Sequence, residues 1–304
     1  MSDNAASRPL SDTENSGGEM PEQDPGTEPQ PVPDTDPVEQ EESEMEDPAA
    51  LDALIAEKLG GPEPSSGESF DTASRARSTA RPSLVPTAEE IMLMSSAQCL
   101  GQLKKHAVPY EKPGFETPLV KTPILLTGPI GGVRIAPMHP QKKPIHSVMD
   151  CRLALALVET AAECAAHGIT DIEFYSTYRP LTAPPKTCPK GRAGKKCRTA
   201  QERYRKTVAE QKSQHRFARA IDIRRFKTAT GETLDVLEDF DRRSGRPPCD
   251  YVPEASKART LTALVCALHE HRVFSVMLTP NANKAHHNHF HFDLTPKARW
   301  YIVR

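Results

Sequence analysis

Val148, Cys151, Leu155, Val158 and Ala162 form one apolar stripe at helical spacing, and predict a helix over Val148–His167 that Gly168 closes. Ile169–Tyr178 then alternates as a strand, with Ile172, Phe174, Ser176 and Tyr178 on one face. Thr87-Ala-Glu-Glu90 supplies a capping box for a helix over Ile91–Leu103. Residues 108–147 are rich in Pro and Gly, with short β-prone pieces at Pro123–Leu126 and Gly132–Ile135. Pro184–Gln211 is basic and loop-like, turning helical from Ala200, and Ala218–Phe226 is a strand. Lys227–Pro253 is a polar loop region. Ser256–Arg272 places Leu261, Leu264, Val265 and Leu268 on the inward face of a helix. Val273–Leu278 and His289–Leu294 are closing strands. This order predicts an α+β fold: a small, mostly antiparallel sheet flanked by helices, loop-rich, without internal repeats.

The pattern stops upstream. Residues 1–50 hold fifteen Asp or Glu, one basic residue (Arg8) and eight prolines, and the first aromatic of the chain is Phe70. Such a stretch buries too little apolar surface to offset its ordering entropy and is expected to be disordered. Leu51, Leu54, Ile55 and Leu59 allow a short helix over 51–60, marginal by itself. The division expected is a tail and linker over 1–86 and one domain over 87–304. Charge divides with it. The chain has 39 basic and 41 acidic residues, so a tail at −14 leaves +12 for residues 51–304. A basic domain favours an anionic partner or self-association with the acidic tail.

No apolar run approaches the ~18 residues of a spanning helix, and the start lacks the basic and apolar regions of a signal peptide. A cytoplasmic location therefore stays open. Seven cysteines show no CxxC pair; Cys188 and Cys197 bracket a loop that one disulfide can close. Few aromatics and no recognised module argue against nucleic-acid binding.

The chemistry is concentrated near the C-terminus. His286-His287-Asn288-His289-Phe290-His291-Phe292-Asp293 holds four of the eleven histidines. On a strand, His289, His291 and Asp293 share one face, and Phe290 and Phe292 point to a core. Neutral imidazole is a common ligand for divalent transition metals. A second pair, His215 and Asp222, lies about seventy residues upstream in Ser213-Gln-His215-Arg-Phe-Ala218-Arg-Ala220-Ile-Asp222, and Ser176-Thr177-Tyr178-Arg179 ends the predicted strand at 169–178.

Together with Asp150-Cys151-Arg-Leu-Ala-Leu and Pro280-Asn-Ala-Asn-Lys-Ala-His286, these blocks resemble the bacterial extensin-like C-terminal family. That family is related to the zinc peptidases that include D-alanyl-D-alanine carboxypeptidases and the penicillin-insensitive murein endopeptidase. The resemblance covers roughly residues 90–304. It implies a zinc-peptidase-type domain and a zinc ion held by His215, Asp222 and His291. It also implies His286 as general base, Arg179 at the developing oxyanion, His289 bonding that oxyanion or orienting the water, and Ser213, Tyr178 and Asp293 as substrate-binding or supporting groups. The function implied is amide hydrolysis on peptidoglycan peptides in the cell envelope, with peptidoglycan or another anionic wall polymer as partner. The alternative is a non-catalytic wall-binding or scaffold module that keeps the fold. One position departs from the pattern: Ala218 stands where the family has glycine. A backbone with positive φ there strains Ala, whereas close packing alone does not.

Overall fold

The computed structural model describes residues 81–139, 144–181, 183–210 and 213–304. The acidic tail and the helix expected at 51–60 lie outside the described residues. The fold is α+β. Helices α1 (Ala88–Leu93) and α2 (Ser96–Lys105) open it, followed by strands β1 (Tyr110–Glu111), β2 (Pro123–Leu126), β3 (Arg134–Pro137) and β4 (Met149–Asp150). Helix α3 (Cys151–Ala166) leads into β5 (Ile169–Phe174), and α4 (Gly191–Glu210) into β6 (Ala220–Thr228). Then come β7 (Thr233–Asp235), the single turn α5 (Val236–Asp239), α6 (Ser256–Glu270), β8 (Val276–Leu278), β9 (Phe290–Asp293) and β10 (Ile302–Val303). Among the described residues no helix is long and apolar enough to cross a membrane.

A small antiparallel sheet runs β1-β2-β4. The larger sheet runs β10-β8-β9-β6-β5-β3, with β7 on β6. Its central pairs are antiparallel, and its two outer pairs, β10 with β8 and β3 with β5, are parallel. Helix α3 is buried along most of its length, and Leu153, Leu155 and Leu157 join Ile221, Ile223, Phe290 and Phe292 in one core.

The first helix expected from the sequence is two helices. Ser95 accepts from Gln98 N while the Gln98 side chain accepts from Ser95 N, a second capping box directly after the first at Thr87 and Glu90. Met94 between them is extended, with ψ 139°. The break is filled from α3. Arg152, 2 % exposed, donates to the Met94 carbonyl and to Asp150 Oδ1, and Asp150 also caps α3 and accepts from Thr122 N. A disulfide between Cys99 and Cys151 ties α2 to the start of α3. Cys188–Cys197 and Cys249–Cys266 are also bridged, and Cys164 is a buried thiol.

Contacts to the domain begin ahead of Thr87. Leu84 N donates to Glu159 Oε2 at 2.6 Å, Arg81 pairs with Glu159 and Glu163, and Val85 is buried in the core. The other large difference is α4, which starts at Gly191 rather than at Ala200.

Candidate metal site

Two neighbouring strands place two of the expected ligands. β6 and β9 pair antiparallel with Asp222 directly opposite His291 and Ala220 opposite Asp293. Alternation along β9 sends Phe290 and Phe292 into the core and leaves His291 and Asp293 on the other face. The third ligand comes from the turn that feeds β6. Gln214–Phe217 is a 3-10 turn, and Ala218 ends it in the left-handed region (φ 54°, ψ 35°), turning the chain into the strand. His215 on that turn then faces Asp222.

The donor atoms converge. His215 Nε2 lies 3.2 Å from Asp222 Oδ1 and 3.3 Å from His291 Nδ1, and His291 Nδ1 lies 2.9 Å from Asp222 Oδ1. Tetrahedral zinc with ligand bonds near 2.0–2.1 Å separates its ligand atoms by about 3.3 Å. The triangle therefore matches one face of such a tetrahedron, and two imidazoles with a carboxylate suit zinc by donor type. Behind it, His291 Nε2 lies 3.3 Å from Asp293 Oδ2, the carboxylate–histidine arrangement that fixes a ligand ring. The His215 Nδ1 atom is buried with no hydrogen-bond partner among the described residues, so nothing there sets its tautomer.

Electrostatics follow the geometry. Burial alone would raise the Asp222 carboxyl, but His215, Arg179 and His289 around it outweigh that and hold it well below the usual carboxylate range. Burial likewise opposes charge on His291, yet hydrogen bonds to Asp222 and Asp293 push its pKa up to about 9. Without metal, His291 is thus a cation between two carboxylates. Burial, then the Arg179 charge, lowers His215 to about 4. Burial also lowers His289 to about 4 and His286 well below its ordinary value.

Two asparagines define the other histidines. His286 Nδ1 lies 2.8 Å from Asn283 Oδ1, and His289 Nδ1 lies 2.7 Å from Asn288 Oδ1. A carboxamide oxygen only accepts, so each Nδ1 carries the proton and each Nε2 keeps its lone pair. His289 Nε2 points at Asp222 Oδ1 from 3.6 Å. The His286 ring stands 5.2 Å from His289 and 5.6 Å from His291 between centroids, beside the triangle rather than in it. Asn283 and Asn288 were missed as orienting groups, although Asn283 sits in the Pro280–His286 block; an amide three residues before a histidine has no local signature of its role.

The remaining expected residues fall differently. Arg179 joins the site, but its guanidinium binds Asp222 Oδ2 and its Nε donates to Ser176 Oγ at 3.0 Å. It braces the carboxylate. Tyr178 does not reach the site: it is fully buried against Leu125, Val148 and Ala218, and its hydroxyl donates to the Pro118 carbonyl at 2.7 Å. It is therefore a scaffold residue and not a substrate contact, because the alternation expected through 178 ends with β5 at Phe174. Ser213 opens the 3-10 turn without capping it by its side chain, and no described contact joins its hydroxyl to the triangle. Asp222 is sealed at 1 % exposure, while His286 and His291 are half-buried, so the open edge of the site lies on their side.

Glu159, Glu163 and His271 also have metal-compatible spacing. Arg81 already sits on both carboxylates, at 2.6 and 2.7 Å, so that cluster anchors the entering chain.

No curated protein and no solved structure matches the chain. His215, Asp222, His286, His289, His291 and Asp293, though not Arg179, all fall within residues 192–304, and that segment matches the family model described as extensin-like protein C-terminus.

Proposed function

We propose that the domain is a zinc-dependent amide hydrolase acting on peptidoglycan peptides. The observation that carries this reading is the triangle of His215 Nε2, Asp222 Oδ1 and His291 Nδ1, with the unprotonated Nε2 of His286 beside it. Zinc held by His215, Asp222 and His291 would supply a Lewis acid and a water activated near neutral pH. His286, its Nδ1–H committed to Asn283, keeps Nε2 free and would accept a proton there from the attacking water and return it to the leaving amine. His289, its Nδ1–H committed to Asn288, orients the water through Nε2. Arg179 holds Asp222 in its ligating orientation, and its charge offsets negative charge that develops at the carbonyl. Asp293 holds the His291 ring through Nε2–H.

Three disulfides support an oxidising compartment such as the cell envelope. The match to the extensin-like model and the resemblance to zinc peptidases support the wall as the substrate source. The test is incubation of zinc-loaded protein with purified muropeptides, with products read by mass spectrometry with and without chelator. Cleavage that stops with chelator is the expected result. Stoichiometric zinc with no cleavage of any muropeptide rejects the hydrolase and leaves a metal-holding wall-binding module.

A further inference from the structure

The proposed reaction makes no use of the segment between Arg179 and His215, whose helix α4 is unlike the other helices of the fold. Of its twenty residues only Gly194 is buried. It carries seven Lys or Arg against two Glu. One face forms an open groove lined by Arg192, Lys195, Lys196, Thr199, Ala200 and Arg203. Those positions are i, i+3, i+4, i+7, i+8 and i+11, the stripe by which an amphipathic helix normally docks. Here it presents four cations around two small residues, so it docks nothing apolar.

The element is nevertheless fastened to its own preceding loop. Cys188–Cys197 closes the preceding loop onto the helix. Gln201 Nε2 donates to the carbonyls of Pro185 and Lys186 at 2.6 and 3.0 Å. The Pro189 carbonyl lies so close to Gly194 that a Cβ there would stand 1.7 Å from its oxygen, so only glycine permits the contact. A stapled helix holding four cations in register along one face is preorganised for a polyanion.

We propose that α4 is the docking face for the acidic segment Asp34–Asp47 of the same chain. That segment holds eight carboxylates in fourteen residues, one proline and no basic residue, a composition that disfavours a fold of its own. Thirty-three residues separate Asp47 from Arg81, the first described residue, and a random coil of that length averages roughly 30 Å end to end. The domain's radius of gyration is about 17 Å for its size, roughly 44 Å across, and an extended chain of this length, roughly 110 Å, reaches any face of it. Tethering presents the carboxylates at an effective concentration on the order of millimolar. The two ends of the arm continue into the residues that brace and ligate the site, Arg179 and His215. Bound tail therefore competes with an external anionic polymer for that basic surface. This is an internal electrostatic cover, released by a stronger polyanion.

Zero-length carbodiimide coupling of the full chain at low salt, followed by peptide mapping, tests this without reference to catalysis. An equal mixture of isotope-labelled and unlabelled chains separates links within a chain from links between chains. The expected result is that carboxylates of Asp34–Asp47 join Lys195 and Lys196 within one chain, in preference to Lys104, Lys105, Lys257 and Lys284. Screening at about 0.5 M salt should lower these links on the order of tenfold. Arg192→Glu with Arg203→Glu leaves both lysines available for coupling and should lower the links similarly. Links spread over all exposed lysines, links only between chains, or links indifferent to the two arginine reversals overturn the proposal. Fluorescent short-chain polyphosphate gives a second reading. Its affinity should rise several-fold when the eight carboxylates become amides, and unchanged affinity means that the arm serves an external polyanion alone and overturns the tail assignment.

Discussion

Asp222 and His291 face each other across the β6–β9 ladder, with His291 Nδ1 2.9 Å from Asp222 Oδ1. That one pairing makes a candidate ligand pair from residues 69 positions apart. It also explains the His291 charge, since the Asp222 oxygen that would share a metal with His291 shares a proton with it instead.

Zinc binding at pH 7 should therefore release about one proton per chain, because a metal ligand must be deprotonated and only His291 of the two ligand histidines is raised above 7. Calorimetric titration in buffers of different ionisation enthalpy measures it. His215→Ala and His291→Ala should each lose nearly all bound zinc. Full stoichiometry in both variants refutes the ligand set.

The metal-free protein should be most stable near neutrality. His291 has its folded pKa raised to about 9, so its contribution is fully present below the unfolded value of about 6.5 and is lost as pH rises through 9. His215 and His289 are depressed to about 4. The unfolded chain takes up their protons first, so stability also falls as pH drops from about 6.5 toward 4. Chemical denaturation across pH 4–10 in chelator reads both limbs; a flat profile above pH 7 contradicts the His291 assignment.

His286→Ala should keep zinc and lose about 10²–10⁴ in rate, the usual contribution of a general base. Asn283→Ala should keep zinc and lose part of that rate, since it frees the Nδ1 proton that fixes the tautomer. By contrast, Arg179→Ala and Asp293→Ala should each weaken zinc about 10–100-fold, as groups that orient ligands do. Metal titration alongside muropeptide turnover separates the two classes, and zinc loss in His286→Ala would make it a ligand.

Ala218→Gly should stabilise the protein slightly. A left-handed alanine costs about 1–2 kcal/mol, and the buried methyl it contributes beside Leu125, Val148 and Tyr178 returns about 0.8 kcal/mol. The difference corresponds to a rise in Tm of about 1–4 °C for a domain of this size. A lowered Tm would mean that packing at this position outweighs the backbone.

Much of this protein is set locally and was legible without a structure. The alternation in Phe290–Asp293 divides core from site because strand side chains have a period of two. The stripe in α3 and Gly168 after it, with φ 70°, mark one helix and its end. Capping could have divided α1 from α2, since Ser95 and Gln98 repeat the spacing of Thr87 and Glu90; the apolar run through Leu103 hid it. What required the tertiary structure are relations between distant segments. Strand register decided that Asp222 meets His291. The ending of β5 at Phe174 turned Tyr178 toward Pro118 and left Arg179 to brace Asp222, 43 residues further on. Residue type alone makes Ala218 an ordinary alanine; only the turn carrying His215 forces it to positive φ. The charge states divide in the same way: an imidazole in isolation titrates near 6.5, and whether it moves to about 4 or about 9 depends on how many carboxylates the fold brings to its nitrogens.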